Sequence, residues 1–225
     1  AKKIYLIGGG KGGEGKSMVT MATLDRLRDL GGKVLLVETD TSNPDVFHCY
    51  GDDVQTELVD LDGANGWVSL LNLCERESDA TVVVNTAARN NRGVGAYGET
   101  LRSSLQDLAR SWVTLWVINA QRDSVELLKA FMEVMPDSEV HVVRNGYFGN
   151  EDDFDLYDGS KTKVKIEEKG GHSLTFPALA SRVANDLYTK RISIHRALKE
   201  LPLGHRAELR RWKSLVDKSL GQVVA

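Results

Sequence analysis

The sequence predicts an α/β fold, a mostly parallel, twisted β-sheet with helices on both faces. Three observations predict it. Residues 4–7, 34–37, 82–84, 113–118 and 140–143 are short, predominantly apolar runs rich in β-branched side chains, as expected of strands buried on both faces. Longer stretches of helical periodicity separate these runs. The first run empties into a glycine-rich turn, GGGKGGEGKS, at residues 8–17, and the turn feeds directly into a helical pattern. Strand alternating with helix is the pattern of a parallel sheet, because parallel neighbours need a crossover between them.

The elements follow in order. Residues 17–30 read as a helix closed by Gly31 and Gly32. Residues 67–76, 99–110 and 125–135 read as the next helices, the last stopped by Pro136. Residues 149–173 are polar, first acidic and then lysine-rich. They predict a surface insertion, with a small hairpin around Val164 and Leu174. The chain then returns to helices at 178–188, 193–198 and 205–220, a helical C-terminal tail. With 225 residues, 41% of them hydrophobic, the chain is long enough for one core, so residues 1–225 are expected to form a single domain.

Charge and cysteine usage exclude some classes. A net charge of −3 leaves no global basic field for coating nucleic acid. Cys49 and Cys74 are far apart and lack metal-ligand spacing, as expected of reduced thiols. The apolar run at 4–7 is too short for the core of a signal peptide, and no stretch approaches the roughly 20 apolar residues of a membrane span. The expected location is the cytoplasm.

The glycine-rich turn carries the chemistry. Gly10, Gly15, Lys16 and Ser17 fit G-x-x-x-x-G-K-[ST], and a strand before and a helix after are the context that this motif needs. Glycines let several backbone N–H groups point inward, and the helix N-terminus adds partial positive charge. Lys16 is then expected to reach the β- and γ-phosphates, and the Ser17 hydroxyl to meet Mg²⁺. Two features are unusual: a second lysine, Lys11, and a carboxylate, Glu14, inside the loop.

KGGEGKS at residues 11–17 resembles the deviant P-loop KGGxGK[ST] of the ParA/MinD superfamily of ATPases. That resemblance implies a P-loop NTPase that binds ATP or ADP with Mg²⁺ through Gly10, Lys11, Gly12, Gly13, Glu14, Gly15, Lys16, Ser17 and Met18. It implies a homodimer that sandwiches two nucleotides, with Lys11 contacting the phosphates of the partner subunit, stabilising charge as an arginine finger does. VLLVETD at 34–40 is similar to the family's D-x-D strand. Asp40 fits the acid near Mg²⁺ and the attacking water, making Lys11, Lys16 and Asp40 the catalytic candidates and Ser17 and Asp40 the metal candidates. Glu38 stands at the first acid. TVVVNTAAR at 81–89 sits where the family has its Walker B strand, with Asn85 at the acid's position. An amide there weakens the hold on Mg²⁺ waters, because charge-assisted hydrogen bonds are roughly twice as strong as neutral ones.

Further landmarks follow in the family's order. Asn145, ending VHVVRN, resembles the asparagine that reads adenine; a turn asparagine is the alternative. Phe176, Pro177 and Ala178 resemble the segment packed beside the base. Residues 89–99 resemble by position a switch responsive to the γ-phosphate; a flexible loop is the alternative. Glu14 is expected to point away from the phosphates, toward solvent or the partner subunit. The tail narrows the likeness to plasmid conjugation and stability proteins of the TraL, StbB and MobD kind, which implies a role in plasmid partition, stability or conjugative transfer and a plasmid-encoded partner protein. His205, Arg206, Arg210, Arg211, Lys213 and Lys218 suggest non-specific DNA binding by the last helix, against the alternative of a solvated face. The rival readings are a nucleotide-dependent adaptor with little hydrolysis and a dethiobiotin-synthetase-like ligase.

Overall fold

The structure is a computed structural model that describes residues 2–225, the Arg89 side chain excepted. Strands β1 (Lys2–Gly9), β2 (Val34–Glu38), β3 (Gln55–Leu58), β4 (Thr81–Asn85), β5 (Arg110–Ile118), β6 (Glu139–Asn145) and β7 (Ser173–Phe176) form one sheet. Its order is β3-β2-β4-β1-β5-β6-β7, and every neighbouring pair is parallel. The helices are α1 (Lys16–Asp29), α2 (Asp45–Tyr50), α3 (Ala64–Arg76), α4 (Asn91–Ser104), α5 (Arg122–Val134), α6 (Asp155–Asp158), α7 (Lys161–Glu168), α8 (Ser181–Lys190), α9 (Ile194–Glu200) and α10 (Leu203–Leu220).

Strand periodicity divides the core into two layers. Tyr5, Ile7 and Leu36 face one side, where α1, α2, α8, α9 and α10 pack. Ile4, Leu6 and Leu35 face the other, against α3, α4, α5, α6 and α7. Both faces are apolar, so the central strands read as continuous hydrophobic runs. The carboxyl ends of β1, β2 and β4 therefore meet at one edge of the core, the usual place for a ligand crevice in such a sheet.

Several expectations are corrected. The hairpin around Val164 and Leu174 does not form. Val164 lies in α7, and residues 151–168 are short helices that bury Phe154, Tyr157 and Ile166 against the sheet. Parallel β6 and β7 need that crossover, so the segment is structural despite its polar composition. Residues 91–99, read as a switch or loop, are the first part of α4, which ends at Ser104 rather than Arg110. Arg110 instead opens β5. Edge strand β3 and helix α2 went unpredicted; β3 has only four residues and no fully buried one.

Three of the six basic side chains of the tail meet carboxylates. His205 Nδ1 lies 2.7 Å from Asp186, and Arg211 pairs with Glu208 at 2.8 Å. Lys213 Nζ sits among Asp25, Asp29 and Asp217 at 2.8, 2.9 and 3.0 Å. The His205 and Lys213 contacts tie α10 to α8 and α1 and occupy part of the charge on which DNA binding through this helix is expected to rest. Leu209, Trp212, Val216 and Leu220 form its buried stripe. Among the described residues, no helix is long and apolar enough to cross a membrane.

Candidate functional site

The glycine-rich loop joins β1 to α1 at the central strand. Gly15 caps α1 with φ +97°, a conformation that glycine adopts without strain. A Cβ there would also lie 2.2 Å from Asn145 Nδ2, so this position has room for no side chain. Lys16 opens the helix and folds back, its Nζ donating to the Lys11 carbonyl at 2.7 Å. Burial pushes the Lys16 ammonium's pKa down, and the charges of Glu14 and Asp40 oppose that shift. A buried cation held by one backbone carbonyl has donors to spare for an anion.

Glu14 does not face solvent; it is 1% exposed. Its Oε2 accepts the Lys11 backbone N–H at 2.9 Å, and its Oε1 accepts the Ser124 hydroxyl at 2.8 Å. The carboxylate thus braces the loop against the start of α5, where a donor-rich helix N-terminus favours an anion. Lys11 points toward the same helix: its Nζ meets Asp123 Oδ2 at 2.6 Å, with both side chains about half exposed. The two unusual loop residues therefore contact consecutive residues of α5.

Lys16, Ser17, Gly12, Gly13 and Gly15 line one open cleft of about 360 Å³ together with Asp40, Asn43, Asn85 and Thr86. Asp40 follows β2, and its Oδ1 accepts the Asn43 N–H at 3.2 Å. Glu38, wholly buried at the end of β2, accepts the Asp40 N–H at 3.0 Å and Asn85 Nδ2 at 3.0 and 3.1 Å. Burial raises its pKa to about 7, although these hydrogen bonds oppose the shift. Asn85 Oδ1 lies 2.8 Å from Thr20 Oγ1. Hard oxygen donors, the Ser17 hydroxyl and the Asp40 carboxylate, share the cleft with the Lys16 cation. That donor set suits Mg²⁺ beside a phosphate chain.

On the opposite flank, Asn145 ends β6 and uses its amide inside the protein. Nδ2 donates to the Glu14 carbonyl at 2.8 Å, and Oδ1 accepts the Tyr147 N–H at 3.1 Å. Gly146 packs against the backbone of Phe176, Pro177 and Ala178, so the two segments expected to flank a base do adjoin. The Phe176 ring, however, turns into the core and meets Trp212 edge-on at 5.6 Å. Met18 likewise packs on the core. Neither residue lines the cleft.

Other contributors carried no recognised motif. Asn91 Nδ2 donates to the carbonyl of Gly9 at 3.0 Å, and Thr86 Oγ1 donates to that of Ile7 at 2.7 Å. Thr39 Oγ1 bonds Asn90 Oδ1, and Asn90 Nδ2 donates to Asp62 at 2.7 Å. The paired asparagines shortly after the third apolar run were the available signal, since short amides at strand exits often serve the backbone.

Protein MobD of Acidithiobacillus ferrooxidans is 59% identical to this chain over 224 residues, covering 100% of the chain and 99% of the relative. The chain belongs to the MobD family. No protein-family model matches it. This MobD-family chain shares its fold with MinD-type P-loop proteins. The MinD cell division protein of Aquifex aeolicus superposes with a TM-score of 0.59 at 14% identity, covering 100% of this chain and 99% of that one. The cell division ATPase MinD of Pyrococcus furiosus gives 0.51 at 16% identity, covering 97% and 99%. A nucleotide-binding protein of Archaeoglobus fulgidus, solved in complex with ADP, gives 0.50 at 16% identity, covering 88% and 91%.

Proposed function

We propose that this MobD-family chain is an ATP-binding molecular switch that forms a nucleotide sandwich dimer, hydrolyses ATP slowly and serves plasmid partition, stability or conjugative transfer in the cytoplasm with a plasmid-encoded partner protein. The observation that carries it is the cleft where Lys16, Ser17 and Asp40 converge under the KGGEGKS loop. Loop amides and Lys16 hold the phosphates; Ser17 and Asp40 hold Mg²⁺, which when bound neutralises developing phosphate charge. Asp40 orients the attacking water. Lys11, half exposed on the loop, leaves Asp123 to reach the phosphates bound by a second copy. The Asn145 turn and Pro177–Ala178 line the base side. The ADP-bound neighbour and the MinD-type fold support nucleotide as the ligand.

A second reading is an adaptor that binds nucleotide with little turnover. Asn85 favours it, because its amide is spent on Glu38 and Thr20. The test is sedimentation of the wild type and Lys11→Ala with Mg²⁺ and ATP or ADP, with phosphate release followed in parallel. ATP-dependent dimers and loss of phosphate release in Lys11→Ala support the switch. ATP-dependent dimers without measurable release identify the adaptor. A wild type that stays monomeric with ATP, with Lys11→Ala behaving alike, refutes the sandwich mechanism.

A further inference from the structure

The chain departs from the pattern that it resembles at two acid positions, and the two departures touch. Glu38 and Asn85 are direct register partners at the ends of neighbouring strands β2 and β4. Glu38 is wholly buried and Asn85 is 3% exposed. The carboxylate only accepts, so it fixes Nδ2 as the Asn85 atom facing it, and both Glu38 oxygens lie within 3.1 Å of that nitrogen. Thr20 from α1 lies 2.8 Å from the other end of the amide, and the Asp40 N–H closes on Glu38 Oε1. Asn85 is thereby clamped at both ends.

Glutamate is one methylene longer than aspartate. That methylene lets a side chain rooted on β2 reach across to its β4 neighbour, where the related motif roots its acid on β4 itself. With the longer glutamate at position 38, an aspartate at position 85 would place two buried anions in contact, and like charges that close disfavour joint ionisation. An amide at position 85 removes that conflict and adds a charge-assisted bond. The pair therefore keeps one anion behind the cleft that holds Ser17 and Asp40.

We propose that Glu38 is the positioning acid of this site: it supplies from β2 the negative charge that the Walker B strand ordinarily supplies from β4, and Asn85 is its holder. The proposal rests on the reading of the cleft as a Mg²⁺–nucleotide site. It differs from that reading in assigning the charge behind the metal to a residue outside the expected metal pair.

The experiment measures binding of a fluorescent ADP analogue to the full chain at pH 8.5, in Mg²⁺ and in EDTA, with melting temperatures recorded for every variant. Mg²⁺ should tighten binding to the wild type. Glu38→Gln should lose about tenfold of that Mg²⁺-dependent gain, the scale of one charge-assisted contact, read as the ratio of its affinities in Mg²⁺ and in EDTA. Asn85→Asp alone should melt lower in EDTA, from the two buried carboxylates. The swap Glu38→Gln with Asn85→Asp should recover both the melting temperature and the Mg²⁺ gain. A Glu38→Gln variant with the full gain overturns the proposal, as does a folded swap no better than Glu38→Gln. If Glu38→Gln does not fold, the swap decides: a folded swap with the full gain supports the pairing, and an unfolded swap overturns it. A wild type that binds nucleotide equally with and without Mg²⁺ overturns the proposal alone. A wild type that binds no nucleotide overturns the reading of the cleft itself.

Discussion

Replacing Glu14 with valine tests whether the loop is held together from within. The structure gives this carboxylate two hydrogen bonds, from the Lys11 backbone and from Ser124, in a site closed to water. Hydrogen bonds to a charged group contribute about 1.5–3 kcal/mol each, and a buried donor left unpaired costs about 1–3 kcal/mol. The Lys11 N–H belongs to an exposed residue and regains water. The Ser124 oxygen still accepts the Asn119 N–H, but its own proton loses its acceptor. Desolvation of the carboxylate, which the wild type bears, disappears in the variant. The net loss expected is about 2–4 kcal/mol, a fall in melting temperature of about 4–15 °C for a domain of this size. Urea unfolding at pH 7.5 without nucleotide measures it. A double-mutant cycle with Ser124→Ala should return a coupling of about 1–3 kcal/mol. A loss below about 0.5 kcal/mol, the level of an ordinary surface change, or a coupling near zero, refutes the brace.

Three further outcomes are expected. Asp123→Asn frees Lys11 from an exposed, solvent-screened ion pair. The monomer's stability should barely change while ATP-dependent dimerisation tightens; weaker dimers in sedimentation would instead make Asp123 part of the interface. Arg110→Met removes a buried guanidinium that donates to the carbonyls of Cys74, Glu77 and Ala80 at the end of α3. Unfolding stability should fall by about 3 kcal/mol. Lys213→Met strips the cation from Asp25, whose pKa burial already raises and Lys213 lowers. A carboxyl with a raised folded pKa contributes most below its unfolded value and loses that contribution as pH rises through the folded one. The penalty of the variant, about 3–5 kcal/mol near neutrality, should therefore shrink on acidification to pH 5, as read by denaturation at both values.

The sequence made the sheet legible where its strands are buried on both faces. β1, β2, β4, β5 and β6 each present an apolar run that periodicity cannot mistake once turn residues bound it. Edge strand β3, QTEL, has no such run: it lies at the sheet edge and none of its four residues is fully buried. The crossover at 151–168 is illegible in the sequence for a related reason. Its helices are short and mostly polar, with Phe154, Tyr157 and Ile166 as widely spaced anchors that no periodic window registers. α4 was placed too late because Gly93, Gly95 and Gly98 look like loop residues; Gly93 is needed where α4 passes the Leu61 carbonyl. In the site, the phosphate loop and Asp40 were legible from spacing. The roles of Glu14 and Asn145 were not, because each is decided by a partner more than a hundred positions away.

Those distant partners give the loop a common logic. A glycine-rich turn is costly to order, because glycine loses the most freedom on folding. Here the turn is held on three sides: by Glu14 and Lys11 on α5, by Asn145 on β6 and by Asn91 on α4. Binding a phosphate chain to a loop already ordered costs less than ordering it at the moment of binding. The braces differ in strength. Glu14 and Asn145 are buried, whereas the Lys11–Asp123 pair is half exposed and weak. Of these contacts, the one whose release is least costly is the one made by the lysine that the switch reading sends to the partner subunit. A loop whose cradle is rigid and whose second cation is loosely tethered suits a protein that holds its own nucleotide first and engages its neighbour's afterwards.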